Sequence, residues 1–367
     1  MKIFKKLLIV LFLTLSCFLI SCGKKEEESY HDYDEDIIKE YNGEVIPSFS
    51  IHTEKQNKYL SGDYTLASVY GKGQDELSKP QGIEVDFSSI VKDASTYEFY
   101  LDTNDEFSNP WVFNVSEKKI TLTNLMIKTV YYYQVKYDNN KSVIKTFFVS
   151  DDRIRNLDID GITNARDIGG VKINGKRINQ GLIYRTSKFN DDEKTDVLIT
   201  SDGINTLVNI LKVKTEIDLR SDSDNEYGGI TESPLGNQVN YIHISMESGG
   251  NCILLNKDDF KDLFRVLGDA SNYPLVFHCS IGTDRTGMVS FLILNLLGAS
   301  KEDIYYDYLF SNFGVIGRVR TPSIIDDYYK TIDGAQGDNY QEKTYNYLVS
   351  LGVNSSDLDN LINIMSK

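Results

Sequence analysis

The apolar positions of this chain follow two different periods, one in each half. Between residues 45 and 150 they alternate with polar positions, which is typical of half-buried strands separated by turns. The runs with period two are Ile83–Phe87, Tyr97–Leu101, Trp111–Val115, Ile120–Leu122 and Tyr131–Tyr137, and further strands are expected near Tyr64–Val69 and Val143–Val149. We expect no helix here, and about seven strands predict an all-β sandwich over residues 45–150.

The second half, residues 159–367, alternates strand patterns with helix patterns. This order predicts an α/β domain with a central, mostly parallel sheet flanked by helices. Its clearest elements are a short buried strand at Leu275–Phe277 and a helix over Thr286–Leu297 that is apolar on nearly every side. A polar stretch, residues 151–158, is expected to link the two halves.

The N-terminal pattern indicates export. Residues 1–21 have a basic start and an apolar run that is too short for a comfortable membrane span, which predicts a signal peptide. The run ends in Leu19-Ile20-Ser21-Cys22-Gly23, which resembles a bacterial lipobox and implies lipid attachment to Cys22. Residues 22–44 predict a charged tether. We therefore expect an extracytoplasmic lipoprotein anchored to a bacterial cell membrane. If the segment were instead an uncleaved anchor, the bulk of the protein would still lie outside the cytoplasmic membrane.

Composition narrows the function classes. The net charge of −15 argues against nucleic acid and against adhesion to anionic lipid surfaces. Two of the four cysteines, Cys17 and Cys22, lie in the export segment, so Cys252 and Cys279 do not form a disulfide framework. We expect Cys252 to be an idle buried thiol rather than a redox partner of Cys279. No residue cluster has metal-ligand spacing, so neither a metal nor a cofactor is expected.

The candidate chemistry lies between the predicted strand and the predicted helix, in His278-Cys279-Ser280-Ile281-Gly282-Thr283-Asp284-Arg285-Thr286. A loop that closes onto a helix N-terminus aims several N–H groups at one point, which suits a dianionic phosphate. The same field should favour the thiolate form of Cys279, a nucleophile. Arg285 can grip two phosphate oxygens, Thr286 can donate to the sulfur, and Gly282 permits a backbone conformation that a Cβ would oppose.

This stretch resembles the His-Cys-x5-Arg-Thr signature of the protein-tyrosine-phosphatase superfamily. Further segments resemble its bacterial secreted tyrosine and lipid phosphatase branch, typified by mycobacterial phosphatase B. They are Asn164-Ala-Arg166-Asp167-Ile-Gly-Gly, Arg185-Thr-Ser187, Asp218-Leu-Arg220-Ser221 with the later Glu226, and Asp307-Tyr-Leu-Phe-Ser-Asn312. In the first half, Leu125 and Thr129-Val130-Tyr131 resemble the tyrosine corner of fibronectin type III modules, within an immunoglobulin-like sandwich.

The resemblance implies a role for each matching residue. Cys279 would be the nucleophile and Arg285 the phosphate clamp, while Asp284 would be the general acid, with Asp218 as the second candidate. The phosphate would be bound by the loop residues Ser280, Ile281, Gly282, Thr283 and Thr286. Supporting positions would be His278, Asp218 with Arg220, and Asn164, Arg166 and Asp167 in the pocket floor. The branch usually has Lys where this chain has Thr283, and that Lys is associated with a second phosphate.

We therefore predict a cysteine-dependent phosphomonoester hydrolase that acts on phosphotyrosine or another simple phosphomonoester. A phosphoinositide or inositol-polyphosphate phosphatase would need several basic groups, and Lys172, Lys176, Arg177 and Lys188 are near in sequence. A surface lipoprotein that binds phosphate without turnover has no evident need for an intact Cys279 and Arg285. A sulfur-transfer or redox protein would have little use for the Arg285-Thr286 pair.

Overall fold

A computed structural model describes residues 40–191, 197–223, 227 and 229–366. The predicted signal peptide, Cys22, Glu226 and the predicted tether as far as residue 39 lie outside the described residues. Among the residues that are described, no helix is both long enough and apolar enough to cross a membrane.

The first half contains ten strands and two α-helices. In chain order they are β1 (Glu40–Tyr41), β2 (Glu44–Val45), β3 (Ser48–Phe49), α1 (Glu54–Leu60), α2 (Ala67–Tyr70), β4 (Ile83–Asp86), β5 (Tyr97–Asp102), β6 (Trp111–Val115), β7 (Lys119–Leu122), β8 (Thr129–Tyr137), β9 (Asn140–Lys141) and β10 (Lys145–Val149).

The second half alternates strands and helices as far as β17 and ends in helices. Its elements are β11 (Arg166–Asp167), β12 (Lys172–Ile173), β13 (Lys176–Arg177), β14 (Ile183–Thr186), α3 (Ser201–Asn205), β15 (Thr215–Asp218), β16 (Asn240–His243), α4 (Cys252–Leu255), α5 (Phe260–Leu267), β17 (Leu275–His278), α6 (Asp284–Leu297), α7 (Lys301–Phe310), α8 (Ser323–Ile332), α9 (Tyr340–Ser350) and α10 (Ser355–Ser366).

The strands β3 to β10 form two sheets over a shared core. The larger sheet has the order β3-β10-β8-β5-β6, with β9 beside β8, and the smaller sheet pairs β4 with β7. Alternation decides which side chains enter this core, because neighbouring side chains of a strand point to opposite faces. In β4, for example, Ile83 and Val85 are buried while Glu84 and Asp86 are exposed. The core also takes in Phe99 of β5 and Val135 of β8.

The expected strand near Tyr64–Val69 is wrong, and the first half is not all-β. Residues 64–66 form a 3-10 turn that leads into α2, and α1 precedes it. The helix α1 begins with a capping box, in which Thr53 and Gln56 bond each other's backbone N–H. Its Tyr59 is fully buried against the rings of Tyr306 and Phe313 in the second half. Burial against this partner surface, rather than local alternation, therefore decides the structure of this segment.

The sheet of the second half has the order β11-β14-β17-β15-β16. Its strands β14, β17, β15 and β16 are parallel, and only β11 runs antiparallel to its neighbour. The central strand β17 is buried on both faces, since Leu275 and Phe277 enter one apolar cluster and Val276 enters another. The helix α6 follows it, and every residue from Arg285 to Leu297 is buried. This is the α/β arrangement that the sequence predicts.

The expected linker, residues 151–158, is largely buried rather than an exposed connection. Arg155, Asn156 and Leu157 are each at most 1% exposed. Arg155 donates hydrogen bonds to the carbonyls of Asn124 and Leu125 in the first half and pairs with Asp167 in the second. The described residues all belong to one compact unit.

Candidate active site

The central feature is the loop Cys279–Thr283, which joins β17 to the N-terminus of α6. Cys279 is buried, with 1% of its surface exposed. Gly282 has a φ of +71°, a left-handed conformation that glycine adopts without strain. A Cβ at Gly282 would also lie 2.6 Å from the Thr186 carbonyl oxygen. Both the backbone angle and the lack of space therefore require glycine here.

The carbonyl groups of the loop are held from outside it. The Asn164 side-chain amide donates to the carbonyls of Ile281 (3.1 Å) and Gly282 (2.9 Å), and Arg185 Nη2 also donates to Gly282 (2.8 Å). The Ser280 carbonyl accepts from the backbone N–H of Lys188 (3.1 Å). In a trans peptide the N–H points away from the carbonyl. The N–H groups that follow these carbonyls therefore face the inside of the loop, where an anion would bind.

A buried group of charges supports the loop from beneath. Asp307 pairs with Arg166 (Nε to Oδ1, 2.8 Å) and with Arg185, and the two guanidinium groups are fully buried. Arg166 Nη1 also donates to the Asn164 side-chain oxygen, which orients the amide that holds the loop. Burial, together with the charge of Arg166, lowers the pKa of Arg185 to about 10, so the Arg185 guanidinium stays charged at neutral pH. Two cations against one carboxylate leave a net positive charge below the loop.

Arg285 lies in the first turn of α6, and its guanidinium is held in place. Its Nη1 donates to the Met246 carbonyl (3.2 Å) and its Nη2 to Ser280 Oγ (3.1 Å). The hydroxyl of Thr286 is buried and has no hydrogen-bond partner among the described residues, so the expected bond to the sulfur of Cys279 is not formed.

Asp284 lies at the rim, and its side chain is 24% exposed. Its carboxylate pairs with Arg320 (Nη2 to Oδ1, 3.3 Å), and Arg320 Nη2 also donates to Thr283 Oγ1 (2.7 Å). Sequence patterns did not identify Arg320, because it follows no predicted strand or helix and belongs to no motif. Only the fold brings it to the phosphate loop.

Asp218, the second candidate for the acid, lies at the end of β15 and is fully buried. Arg220 binds both of its carboxylate oxygens, and the Tyr241 hydroxyl donates to one of them (3.0 Å). Burial alone would raise its pKa, but the charges of His278 and Arg220 outweigh it and lower the pKa of Asp218 to about 2. Both oxygens of this buried carboxylate are already bound by Arg220 and Tyr241, so Asp218 is a structural anchor.

His278 precedes Cys279 and is fully buried. Its Nε2 lies 2.9 Å from Glu216 Oε1, and Glu216 in turn accepts from the Ser233 hydroxyl. Glu216 was not among the predicted residues, although its place two positions before Asp218 on one strand puts both on the same face. This chain of contacts fixes the end of β17, from which the phosphate loop departs.

Asp167 is not in the pocket floor with Asn164 and Arg166. Its carboxylate pairs with Arg155 (2.8 Å) and accepts the N–H groups of Gly169 and Gly181. Successive residues of a strand point to opposite faces, so Arg166 and Asp167 cannot both face the loop. Asp167 therefore joins the two halves of the chain.

Of the four basic residues considered for extra phosphates, only Lys188 is adjacent to the loop, and its side chain pairs with Asp191 (2.6 Å). Lys172, Lys176 and Arg177 belong to β12 and β13, and Ile173 of that hairpin lies beside Gly298 at the C-terminus of α6. The 14 residues of α6 span roughly 20 Å, so this hairpin is remote from the phosphate loop.

Cys252 and Cys279 are both free, buried thiols. Burial, with the charge of Asp284 as a further cause, raises the pKa of Cys252 to about 11, so it remains a neutral thiol at physiological pH. Within the described ranges no group of three His, Cys, Asp or Glu side chains has an arrangement that could hold a metal ion.

Comparisons with solved structures find weak similarity. The core catalytic domain of a PP-IP phosphatase from S. cerevisiae, in complex with citrate, gives a TM-score of 0.30 at 18% identity, covering 45% of this chain and 88% of that one. The P. aeruginosa protein TpbA gives a TM-score of 0.30 at 16% identity, covering 59% of this chain and 98% of that one.

Sequence comparisons are more informative. A protein of Cupriavidus necator named "putative tyrosine-protein phosphatase" is 26% identical over 236 residues, which cover 50% of this chain and 82% of the relative. A tyrosine-protein phosphatase of Nostoc commune is 34% identical over 56 residues, or 15% of this chain and 19% of the relative. The tyrosine phosphatase family model matches residues 157–363, more than half of the chain. This chain therefore belongs to the tyrosine phosphatase family and is a phosphatase.

Proposed function

We propose that this protein is a cysteine-dependent protein-tyrosine phosphatase that acts through a phosphocysteine intermediate. The observation that carries the proposal is the orientation of the loop around Cys279. Its carbonyls are bound by Asn164, Arg185 and Lys188 on the outside, so its N–H groups face the thiol at the positive end of α6. A phosphate seated there would meet the N–H groups and the Arg285 fork together.

The mechanism follows from this arrangement. The Cys279 thiolate attacks phosphorus, the sulfur–phosphorus bond forms and the ester oxygen–phosphorus bond breaks, while the loop N–H groups and Arg285 stabilise the equatorial oxygens. Asp284 gives its proton to the leaving oxygen. Its carboxylate then takes a proton from water, which attacks the phosphocysteine and releases inorganic phosphate and the thiolate.

The positions of the basic side chains that were considered for extra phosphates support a simple phosphomonoester as substrate. Thr283 replaces the Lys that is usual in the mycobacterial phosphatase B branch, to which we assign the chain, and Lys172, Lys176 and Arg177 lie near the opposite end of α6. A phosphoinositide or inositol polyphosphate would present several phosphates, and of the four basic side chains considered for them only Lys188 is adjacent to the loop, where it pairs with Asp191. Phosphotyrosine needs only one phosphate site and a rim for its ring.

A panel of phosphate esters tests the proposal, with phosphotyrosine peptides, phosphoinositides and inositol polyphosphates assayed under identical conditions. We expect Cys279→Ser to lose several orders of magnitude in kcat while it still binds vanadate, because an alcohol is scarcely ionised near pH 7. Arg285→Ala should cost about 3 kcal/mol of transition-state stabilisation, and Arg285→Lys should recover little of it.

Four outcomes of the same panel would contradict the proposal. Turnover that survives in Cys279→Ser would exclude the phosphocysteine route, and loss of turnover on adding a chelator would indicate a metal enzyme. Faster turnover of phosphoinositides than of phosphopeptides would assign the alternative substrate class. Binding of phosphate esters without turnover by the unmodified protein would indicate a phosphate-binding lipoprotein.

We further propose that the first half is a fibronectin III-like module with a helical insertion. Its support is the Tyr131 hydroxyl on β8, which accepts a hydrogen bond from the backbone N–H of Met126 five residues earlier (2.7 Å), as a tyrosine corner requires. The two-sheet order adds to this support. An experimental structure in which Tyr131 does not bond the preceding loop would contradict the assignment.

We also propose that the mature protein is a lipoprotein on the outer side of the cell membrane. The proposal rests on the run Leu19-Ile20-Ser21-Cys22 after a short apolar segment. The protein should partition with membranes and should lose this property in Cys22→Ala. A cytosolic protein with an intact N-terminus would overturn the proposal.

A further inference from the structure

Arg320 contacts the phosphate loop from a segment that carries no catalytic motif. Its Nη2 lies 2.7 Å from Thr283 Oγ1 and 3.3 Å from the Asp284 carboxylate. The Arg320 side chain is only 5% exposed. Its Nε and Nη1 have no hydrogen-bond partner among the described residues, so Nη2 carries every polar contact recorded for this guanidinium.

The backbone of Arg320 is fixed by one side chain. Asn312 accepts from the Arg320 N–H (2.7 Å) and donates to the Arg320 carbonyl (3.0 Å), and Asn312 is fully buried. The Asn312 carbonyl in turn accepts from the N–H of Gly73 in the first half (2.8 Å). Because its backbone N–H and carbonyl are both bound, the Cα of Arg320 is fixed in position, and its side chain reaches the phosphate loop from there.

We propose that Arg320 is a positioning residue for Asp284, an inference that rests on the proposed function. It holds the carboxyl group at the rim of the phosphate loop. In the first step it stabilises the carboxylate that remains after Asp284 has given its proton to the leaving oxygen. In the second step it keeps that carboxylate aimed at the water that attacks the phosphocysteine.

The other groups that face Asp284 support this role for Arg320. They are Cys252 of α4, Tyr308 of α7 and Tyr328 of α8, while Arg285 follows Asp284 on the same helix. Burial raises the pKa of the Cys252 thiol to about 11 and raises the pKa of both tyrosines, so these three groups stay neutral in the working range. Arg285 binds phosphate in the proposed mechanism. Arg320 is therefore a cation in contact with Asp284 that can be removed by mutation while the phosphate-binding Arg285 is kept.

The test compares Arg320→Gln with the unmodified full chain on aryl phosphates that have good and poor leaving groups. Poor leaving groups need protonation by the acid, whereas activated ones such as p-nitrophenyl phosphate need little. We expect Arg320→Gln to lose roughly tenfold more kcat on the poor leaving group than on p-nitrophenyl phosphate.

Arg318→Gln is the matched control, because Arg318 is exposed and lies two residues away on the same segment. It should leave turnover of both substrates unchanged. In an Asp284→Asn background, Arg320→Gln should have little further effect, since the group that it positions is absent. Equal losses on both leaving groups, or losses that add to those of Asp284→Asn, would overturn the proposal.

Two milder variants keep the test valid if Arg320→Gln does not fold. Arg320→Lys retains a cation but loses the planar fork, and Thr283→Val removes the hydrogen bond of the guanidinium to Thr283 together with the long contact of that hydroxyl with Asp284 (3.5 Å). Each should lower the rate on the poor leaving group more than on p-nitrophenyl phosphate, and equal losses would again reject the proposal. Failure of the proposed function itself is recognised separately, by turnover that survives in Cys279→Ser.

Discussion

Two guanidinium groups and one carboxylate lie buried beneath the phosphate loop of a strongly acidic chain. The net charge of −15 would repel a dianionic phosphate at long range, but salt screens exposed charges over about 10 Å. Arg166 and Arg185 are buried and act on the loop at short range, where screening is weak. With the N-terminus of α6 they give the loop a local positive field that the composition does not reveal.

At the residue scale, we expect Thr283→Lys to destabilise the protein instead of adding a phosphate contact. Thr283 is fully buried and its hydroxyl accepts from Arg320, so a lysine there would place one cation against another. The thermal unfolding midpoint should fall in Thr283→Lys and recover in part when Arg320→Ser is added. An unchanged midpoint together with a gain in phosphoinositide turnover would show that the lysine escapes to the rim.

Asp218 should contribute stability that depends on pH. Its folded pKa of about 2 lies below the ordinary value of 3.8, so its contribution is present above about pH 4 and is lost as the pH falls toward 2. We expect Asp218→Asn to lower the free energy of unfolding by roughly 3 kcal/mol at pH 7, because Arg220 loses its buried partner. The difference from the unmodified protein should narrow by about 2 kcal/mol near pH 2.

Urea unfolding at both pH values measures this prediction. Asp222→Asn is the control, since Asp222 carries the same side chain four residues away, at a site that is exposed. A difference between the unmodified protein and Asp218→Asn that stays constant from pH 7 to pH 2 would contradict the low pKa.

At the scale of elements, residues 71–78, here called the strap, run alongside the segment that carries Arg320. Gly73 N–H donates to the Asn312 carbonyl, and the Gly73 carbonyl accepts from the N–H of Ile316 (3.0 Å). Ser78 Oγ accepts from the N–H of Asn164 (3.1 Å). The strap thus contacts the backbone of Asn164, whose side chain holds the phosphate loop, and the segment that carries Arg320. The strap, although it belongs to the first half of the chain, therefore helps to support the active site.

Gly73→Ala should disturb the contacts of the strap through a steric collision, in addition to the cost of its backbone angle. Gly73 has a φ of +71°, and a Cβ there would lie 2.8 Å from Ile316 Cγ1 and 2.9 Å from the Arg318 carbonyl oxygen. Gly43 is the matched control, because its φ is +78° and nothing lies within 4 Å of its Cβ position.

We expect Gly43→Ala to cost about 1 kcal/mol of unfolding free energy through its backbone angle. Gly73→Ala should cost roughly 1–3 kcal/mol more through the collision and should also lower kcat on poor leaving groups. If denaturant unfolding gives the same loss of unfolding free energy for both variants, and kcat is unchanged in both, then the strap does not support the active site.

At the scale of the whole molecule, the two halves share buried contacts that a separable domain would lack. Tyr59 of α1 is buried among aromatic rings of the second half, and Gln180 bonds both the N–H and the carbonyl of Ile127. A protein that begins at residue 151 would expose the surface around Tyr306 and Phe313 and would leave Arg155 without the carbonyls of Asn124 and Leu125.

We therefore expect residues 151–367 expressed alone to be insoluble or to unfold without a cooperative transition. Residues 40–367 should fold and retain full turnover, which serves as the control for loss of the N-terminus. Thermal unfolding followed by circular dichroism, together with p-nitrophenyl phosphate turnover, checks both proteins. A stable and active fragment of residues 151–367 would show that the first half is dispensable.

Several features were predictable because local sequence determines them. The strands of the first half alternate with period two, β17 and α6 are continuous apolar runs, and the loop between them carries Cys279, Gly282 and Arg285 in order. The capping box Thr53-Glu-Lys-Gln56 was also present in the sequence and would have indicated α1. The apolar face of α1 is short, so the period-two alternation of the neighbouring strands dominated the prediction for this segment.

The remaining features depend on contacts between residues that are distant in sequence. The sequence by itself determined the phosphate loop and the family, since both rest on neighbours along the chain, and the alternation of strand and helix patterns predicted the parallel sheet behind the loop. Only the tertiary structure decided that Asp218 is a buried anchor, that Asp167 faces away from the loop and that Arg320 meets Asp284. The physical reason is that a charged side chain takes its role from the charges that surround it in the fold, and Arg320 is 36 residues from Asp284 along the chain.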